Sequence, residues 1–196
     1  MRLHIKKVLM KHRLTLLLSL LISTSAYAAD QQPLIQESRL AIKAFAGQLK
    51  SELMAGMQKG GPLQAMTVCH DLAVDIALDN SQKLGWEISR TALKPRNTNN
   101  SPDAWEAAVL TTFEKRKAAG EPIDNIDHAE ITSNNGESQF RYMKAIPTQP
   151  LCLACHGENI AADISTKIDQ LYPNDKARGF KLGDIRGAFS IQRTIE

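Results

Sequence analysis

The stretch PTQPLCLACHG, residues 147–157, contains Cys152-x-x-Cys155-His156, the attachment pattern of a c-type haem. Two thiols one short turn apart can add to the two vinyl groups of a haem, and the adjoining imidazole then falls beneath the iron as an axial ligand. A thioredoxin-like redox pair would want a strand before it and a helix after it in a βαβ setting, and would have no use for His156. A zinc site would want a second pair of ligands, which the sequence lacks. The expected cofactor is therefore one covalently bound haem c, held by Cys152, Cys155 and His156.

The motif occurs once and late in the chain, after more than a hundred residues, whereas small electron-carrier cytochromes wrap a helical fold of about a hundred residues around the group. Immediately upstream, Ala129–Ser133 and Gln139–Ile146 read as strands joined by the turn-forming Asn134-Asn135-Gly136, a hairpin that delivers the chain to the motif. Farther back, WEISRTAL (86–93) alternates as a strand does and is ended by the loop KPRNTNNSPD. A helix follows, with Ser101 expected as N-cap, Pro102 at the first helical position and Asp103 complementing the dipole. Trp105, Ala108, Val109, Thr112 and Phe113 are expected to form its buried stripe, and Gly120 and Pro122 to stop it.

Two amphipathic helices are expected before that, over 34–58 and 63–84, separated by Gly60-Gly61-Pro62. On the second, Met66, Cys69, Leu72, Ala73 and Ile76 share a face, so Cys69 is expected to point into the core. Downstream of the motif, Ile160, Ile164, Ile168 and Leu171 mark a helix ahead of Pro173. Gly187 precedes a last strand in which Phe189 and Ile191 alternate with Ser190 and Gln192. Helices and antiparallel hairpins are mixed, which predicts an α+β domain with a small antiparallel sheet.

The N-terminus adds a compartment. MRLHIKKVLMKHR carries five basic residues and no acid, LTLLLSLLI follows, and Ala26-Tyr27-Ala28 supplies a small-x-small cleavage site, the pattern of a secretory signal peptide. The expected division is a signal over 1–28 and a mature domain over 29–196, exported to the periplasm. The apolar run is well short of the roughly 20 residues that span a bilayer, so no stable membrane span is expected after cleavage. Removing the five basic residues from 24 leaves 19 Lys+Arg against 21 Asp+Glu, a net charge of −2 with His neutral. No basic face remains for nucleic acid. Cys69 is the third cysteine and has no partner for a disulfide in that oxidising setting.

Four stretches, TVCHDLAVDIA (67–77), SRTALKPRNTNNSPDAWEAAVL (89–110), YMKAIPTQPLCLACHG (142–157) and YPNDKARGFKLGDIRGAFSI (172–191), resemble in this order a single-haem c-type family with a PAS-like fold. That family occurs alone in bacterial envelopes and as an input module of some sensor kinases. The resemblance covers nearly all of the mature chain and implies a PAS-like α+β fold with long N-terminal helices, one haem c, and a role in redox or gas sensing or in electron transfer. It also implies a cysteine on an N-terminal helix as second axial ligand, matching Cys69. From the residues alone, Met143, Met66, His70, His128 and an open position remain alternatives to Cys69. Arg90, Lys94 and Arg96 resemble the family's Arg…Lys-x-Arg-Asn segment and could pair with the haem propionates, as Arg does through two parallel hydrogen bonds. A solvated loop whose asparagines build turns is the other reading of that segment. Gly183–Gly187 reads as a turn into the last strand, without assigned chemistry.

The function expected is a periplasmic redox or diatomic-gas sensing, haem-binding module with His/Cys axial ligation. No kinase or DNA-binding segment accompanies it, so it would signal to a separate partner. Reduction could protonate or release Cys69 and open the iron to a gas. The alternative is an electron-transfer cytochrome in a periplasmic redox chain, which needs a persistent sixth ligand and a redox partner protein. A haem enzyme is least expected, because no distal His/Arg pair can be nominated.

Overall fold

A computed structural model describes residues 23–134 and 136–195. The basic segment and apolar run of the expected signal lie outside the described residues. The chain divides between Glu37 and Ser38 into two units; the described part of the first, from Ser23, is helical, and the second holds everything discussed below.

Helix α1, Ser23–Leu84, is two helical arms meeting at Gly60 and Gly61. Gly61 has φ 67° and ψ −160°, a conformation that only glycine adopts without strain. The arms fold back on each other: a Cβ on Gly56 would lie 2.9 Å from the Ala65 Cα, and the Asn80 side chain donates to Gln48 at 2.9 Å. Ala41, Ile42 and Phe45 are buried on the first arm and Ala65, Met66, Ala73 and Ile76 on the second. The two expected helices and their Gly-Gly break are thus observed.

Four strands, β1 (Glu87–Thr91), β2 (Asp127–Asn134), β3 (Glu137–Pro147) and β4 (Ile185–Ile195), form one antiparallel sheet in the order β1-β4-β3-β2. Its two faces are covered differently. Met143 and Ala145 of β3 and Ile185 and Ala188 of β4 join Val109, Leu110 and Phe113 of helix α2 (Ala104–Ala118) in one core. On the opposite face the Phe189 ring meets Phe45 of α1 edge-on at 5.7 Å, and the Tyr142 hydroxyl and Arg39 of α1 both bond Asp127. The result is an α+β, PAS-like fold: a small antiparallel sheet between a long N-terminal helical hairpin and a shorter helix.

Two local expectations are corrected. Asp103, not Ser101, is the N-cap of α2, in a reciprocal capping box with Glu106 (2.7 and 3.1 Å). The Ser101 hydroxyl instead donates to the Thr98 carbonyl and closes the preceding single turn. The buried stripe is Glu106, Val109, Leu110 and Phe113; Ala108 and Thr112 are exposed, because the helix turns the Leu110 side towards the sheet.

Candidate functional site

β3 ends where Pro147 has no N–H to give the ladder, and the register shifts between Ile146 and Pro147. The chain passes through a 3₁₀ turn, Pro150–Cys152, into the one-turn helix α3, Leu153–His156. Gly157 closes that turn with its N–H on the Leu153 carbonyl at 3.0 Å, where a Cβ would stand 2.6 Å from the same oxygen. Cys152 and Cys155 thus sit one turn apart, both half-buried, and no disulfide engages them or Cys69.

The segment after helix α4 (Ala162–Leu171) holds this turn from one side. Phe180 N–H donates to the His156 carbonyl and Gly179 N–H to the Gly157 carbonyl, each at 3.0 Å. The His156 Nδ1 lies 2.8 Å from the Ala177 carbonyl. A carbonyl can only accept, so Nδ1 carries the proton and Nε2 the lone pair. Burial first, then Arg186 and Arg96, hold the His156 pKa well below the ordinary histidine value. A neutral imidazole with Nε2 unprotonated is the form that ligates a metal.

Arg96 fastens the same segment from the loop after β1. Its guanidinium donates to the Cys155 carbonyl (2.6 Å), the Ala177 carbonyl (3.1 Å) and the Asp175 carboxylate (3.1 Å); the side chains of Arg96 and Asp175 are 10% and 2% exposed. Asp175 also accepts from Arg178 (2.7 Å) and from the Ala177 N–H (2.9 Å). Burial alone would raise its pKa, but Arg178, the Ala177 N–H and Arg96 bring it below the ordinary value.

Cys69 approaches from the second arm of α1. Its thiol lies in the electrostatic field of Arg90, Arg96, Arg186 and Cys152, and Cys155 in turn feels Cys69. The expectation that Cys69 points into the packed core is corrected: Met66, Ala73 and Ile76 are buried, but Cys69 is exposed and Leu72 is 39% exposed. Protein nonetheless surrounds the thiol closely enough for lost hydration to raise its pKa.

The other candidate ligands are placed differently from Cys69, and Met66 alone among them packs beside an attachment cysteine. Met143 is fully buried in the core against α2, and Met66 packs with Ile164 and Ile168, with Cys155 at the edge of that cluster. His70 pairs with Asp71 at 2.6 Å and meets Tyr172 edge-on, while His128 is exposed beside Glu130 and Trp105.

Arginines dominate the charge around the thiols. Arg90 on β1 has its pKa lowered by burial, partly offset by Cys69 and Tyr172. Arg186, at the start of β4, lies in the Gly183–Gly187 segment, expected to be a turn without chemistry. Burial, then Arg96 and Arg90, push its pKa down to about 10. Its guanidinium lies 5.3 Å from the Phe180 ring centroid, and that ring meets the His156 imidazole edge-on at 6.3 Å. Among the described residues no carboxylate lies within ion-pair distance of Arg90 or Arg186. Lys94 also lies over Phe180, at 5.5 Å. A cavity of ≈ 250 Å³ lined by Leu110, Glu114, Phe180, Ile185 and Arg186 adjoins the site, and none of the cysteines lines it.

Two thiols, an oriented neutral imidazole, a third thiol from a distant helix and a surplus of half-buried positive charge are what a haem with two thioether links, an axial histidine and two propionates would meet, so the residues fit that group. Among the described residues no three His, Cys, Asp or Glu side chains are arranged to hold a bare ion, and no helix is long and apolar enough to cross a membrane.

No curated protein matches the chain. A solved structure titled "Crystal structure of the cyanobacterial heme-protein Tll0287" superposes with a TM-score of 0.57 over 82% of this chain and 96% of that one, at 22% identity, which establishes a common fold. The Tll0287-like family model matches residues 6–193, so the four stretches that carry the resemblance fall inside one continuous match. This chain belongs to the Tll0287-like family.

Proposed function

We propose that this protein is an exported, periplasmic module carrying one haem c, attached through Cys152 and Cys155 and ligated axially by His156 and Cys69, that senses redox state or a diatomic gas. The observation carrying the proposal is that the second arm of α1 packs through Met66 against Cys155, some eighty residues later in the chain, which brings Cys69 into the electrostatic field of both attachment thiols. A thiol with only a packing role would lie on the buried stripe with Met66 and Ala73. The solved relative is itself described as a heme-protein.

Each residue has a part. Cys152 and Cys155 present their sulfurs one turn apart, and the Ala177 carbonyl fixes the ring orientation and tautomer of His156. Arg90 offers positive charge for a carboxylate, and Arg96 holds the Cys155 backbone in place. When bound, the haem supplies a one-electron iron couple, which a thiolate ligand biases towards the oxidised state. The signal peptide read over 1–28 supplies the export in which such attachment takes place.

The test is the pyridine haemochrome and visible spectrum of the purified protein, oxidised, reduced and with carbon monoxide, for wild type and Cys69→Ala. A haemochrome of two thioether bonds, a thiolate-type oxidised spectrum lost in Cys69→Ala, and carbon monoxide binding by the reduced wild type are expected. An oxidised spectrum indifferent to Cys69→Ala removes the thiolate ligand, and a reduced wild type that refuses carbon monoxide makes the protein an electron carrier instead.

A further inference from the structure

The positive charge around the thiols is out of balance. Arg90, Arg96 and Arg186 all act on Cys69, Arg186 lies in the field of the other two, and Asp175 is the carboxylate that faces Arg96 and Arg186. Asp175 is already committed, accepting from Arg96, from Arg178 and from the Ala177 N–H. Arg96 is committed too, with donors on two carbonyls and on Asp175. Among the described residues, neither Arg90 nor Arg186 has a carboxylate within ion-pair distance. The one hydrogen bond of Arg186 reaches the Lys94 carbonyl at 3.3 Å, and its Nε is buried with no acceptor. The residue as a whole is half-buried, but a guanidinium N–H shut off from water with no acceptor is unfavourable, and such groups are found where an anion completes them.

Its position says which anion. Arg186 stacks over Phe180, whose ring abuts His156 and whose N–H holds the His156 carbonyl, so the guanidinium stands beside the expected axial ligand. Gly187 keeps it there: a Cβ at that position would meet the Thr91 carbonyl at 2.4 Å, so β4 lies tightly against the end of β1 next to Arg90. Resting on the haem reading above, we infer that Arg186 and Arg90 form a carboxylate-binding pair for the two haem propionates, while Arg96 is a positioning residue for the attachment turn. Arg offers each carboxylate two parallel donors, which a lysine cannot.

The test compares wild type, Arg186→Gln, Arg186→Lys and Arg96→Gln, all full-length. Apoprotein is made without the attachment machinery and titrated with haemin and with haemin dimethyl ester, which lacks the carboxylates. Wild type is expected to prefer haemin by about tenfold or more, the range of charge-assisted hydrogen bonds. Arg186→Gln is expected to lose most of that preference, Arg186→Lys to keep part of it, and Arg96→Gln to keep it while melting at lower temperature. Because an unneutralised half-buried cation has been removed, apo Arg186→Gln is expected to melt at or above the wild-type temperature. A variant that fails to fold, a wild type blind to esterification, or an unchanged preference in Arg186→Gln each overturns the inference. The haemochrome of wild type from cells with the attachment machinery separates the two levels. No thioether-linked haem there defeats the functional reading itself, whereas linked haem with an unchanged preference defeats only the role of Arg186.

Discussion

Replacing Arg96 by Gln would remove the main strut of the attachment turn. The guanidinium makes an ion pair with a carboxylate that is 2% exposed and bonds two backbone carbonyls, at Cys155 and Ala177. Breaking a buried pair by removing one partner commonly destabilises by about 3–5 kcal/mol. Asp175 keeps Arg178 and the Ala177 N–H, and the Ala177 carbonyl keeps His156, which places the loss at the lower end of that range, about 3 kcal/mol. For a domain of this size that is a fall in melting temperature of roughly 6–12 °C, read by circular dichroism. The effect carries a pH signature. The Asp175 pKa is depressed in the fold, so its contribution is complete above the ordinary carboxylate value and lost as pH falls through the folded value. Wild type and Arg96→Gln should therefore differ fully at pH 7 and converge from about pH 4 downward. A loss under about 1 kcal/mol at pH 7, or a gap that does not narrow in acid, refutes the assignment of Arg96 as the strut of this turn.

Gly187→Ala brings a methyl within 2.4 Å of the Thr91 carbonyl, and overpacking of about 1–3 kcal/mol together with reduced haem content is expected, measured by urea melts and haemochrome. Asp103→Ala removes the N-cap of α2 and the ion pair to Arg141; the carboxylate is half exposed, so the expected loss is about 1 kcal/mol, seen as a lower urea midpoint with an unchanged spectrum. Asp127→Asn weakens the tie from the sheet to Arg39 and Tyr142. Burial opposes the depression of the Asp127 pKa, but the Tyr142 hydroxyl and Arg39 prevail, so wild type should lose stability as pH falls through the folded value while the variant does not. Arg39 is 43% exposed, which limits the difference at pH 7 to about 1 kcal/mol.

Local signals in the sequence were enough for the elements. The Gly60-Gly61 break, the β2–β3 pairing and the alternation of 86–93 each answer to signals within a few residues, and each appears in the structure close to where it was expected. The attachment turn was legible for the same reason, since its two thiols and imidazole are contiguous. Cys69 was legible as a residue but not in its surroundings. A 3.6-residue period places it on the face shared with Met66 and Ala73, yet whether that edge packs or opens depends on α4 and on the turn at Cys155, both far along the chain. Arg186 was illegible: its environment is made by Phe180, Lys94 and Arg90, none of them a close neighbour in the chain, and a turn-like Gly-Asp-Ile-Arg-Gly carries no periodic signal. Ser101 and Asp103 failed in a subtler way, because both are good caps and only the geometry of the preceding turn decides between them.

The two sides of the proposed haem are held unequally, and this bears on how such a module could signal. On the His156 side the backbone carbonyls of Cys155, His156 and Gly157 are each engaged, by Arg96, Phe180 and Gly179, and the ring itself is pinned to Ala177. A displacement there would break several short bonds at once and leave Asp175 buried with fewer partners. On the Cys69 side the arm of α1 is anchored through a narrow stripe, Ala65, Met66, Ala73 and Ile76, while Leu72, Val74 and Leu78 on the same arm stay exposed. The thiol is not part of that stripe, so its position can change without opening a cavity in the core. That arm also joins its neighbour at Gly61, whose backbone no other residue would adopt easily. On the proposed ligation, exchange at the iron should therefore occur at Cys69 rather than at His156, and it would be felt along the second arm of α1 rather than in the sheet.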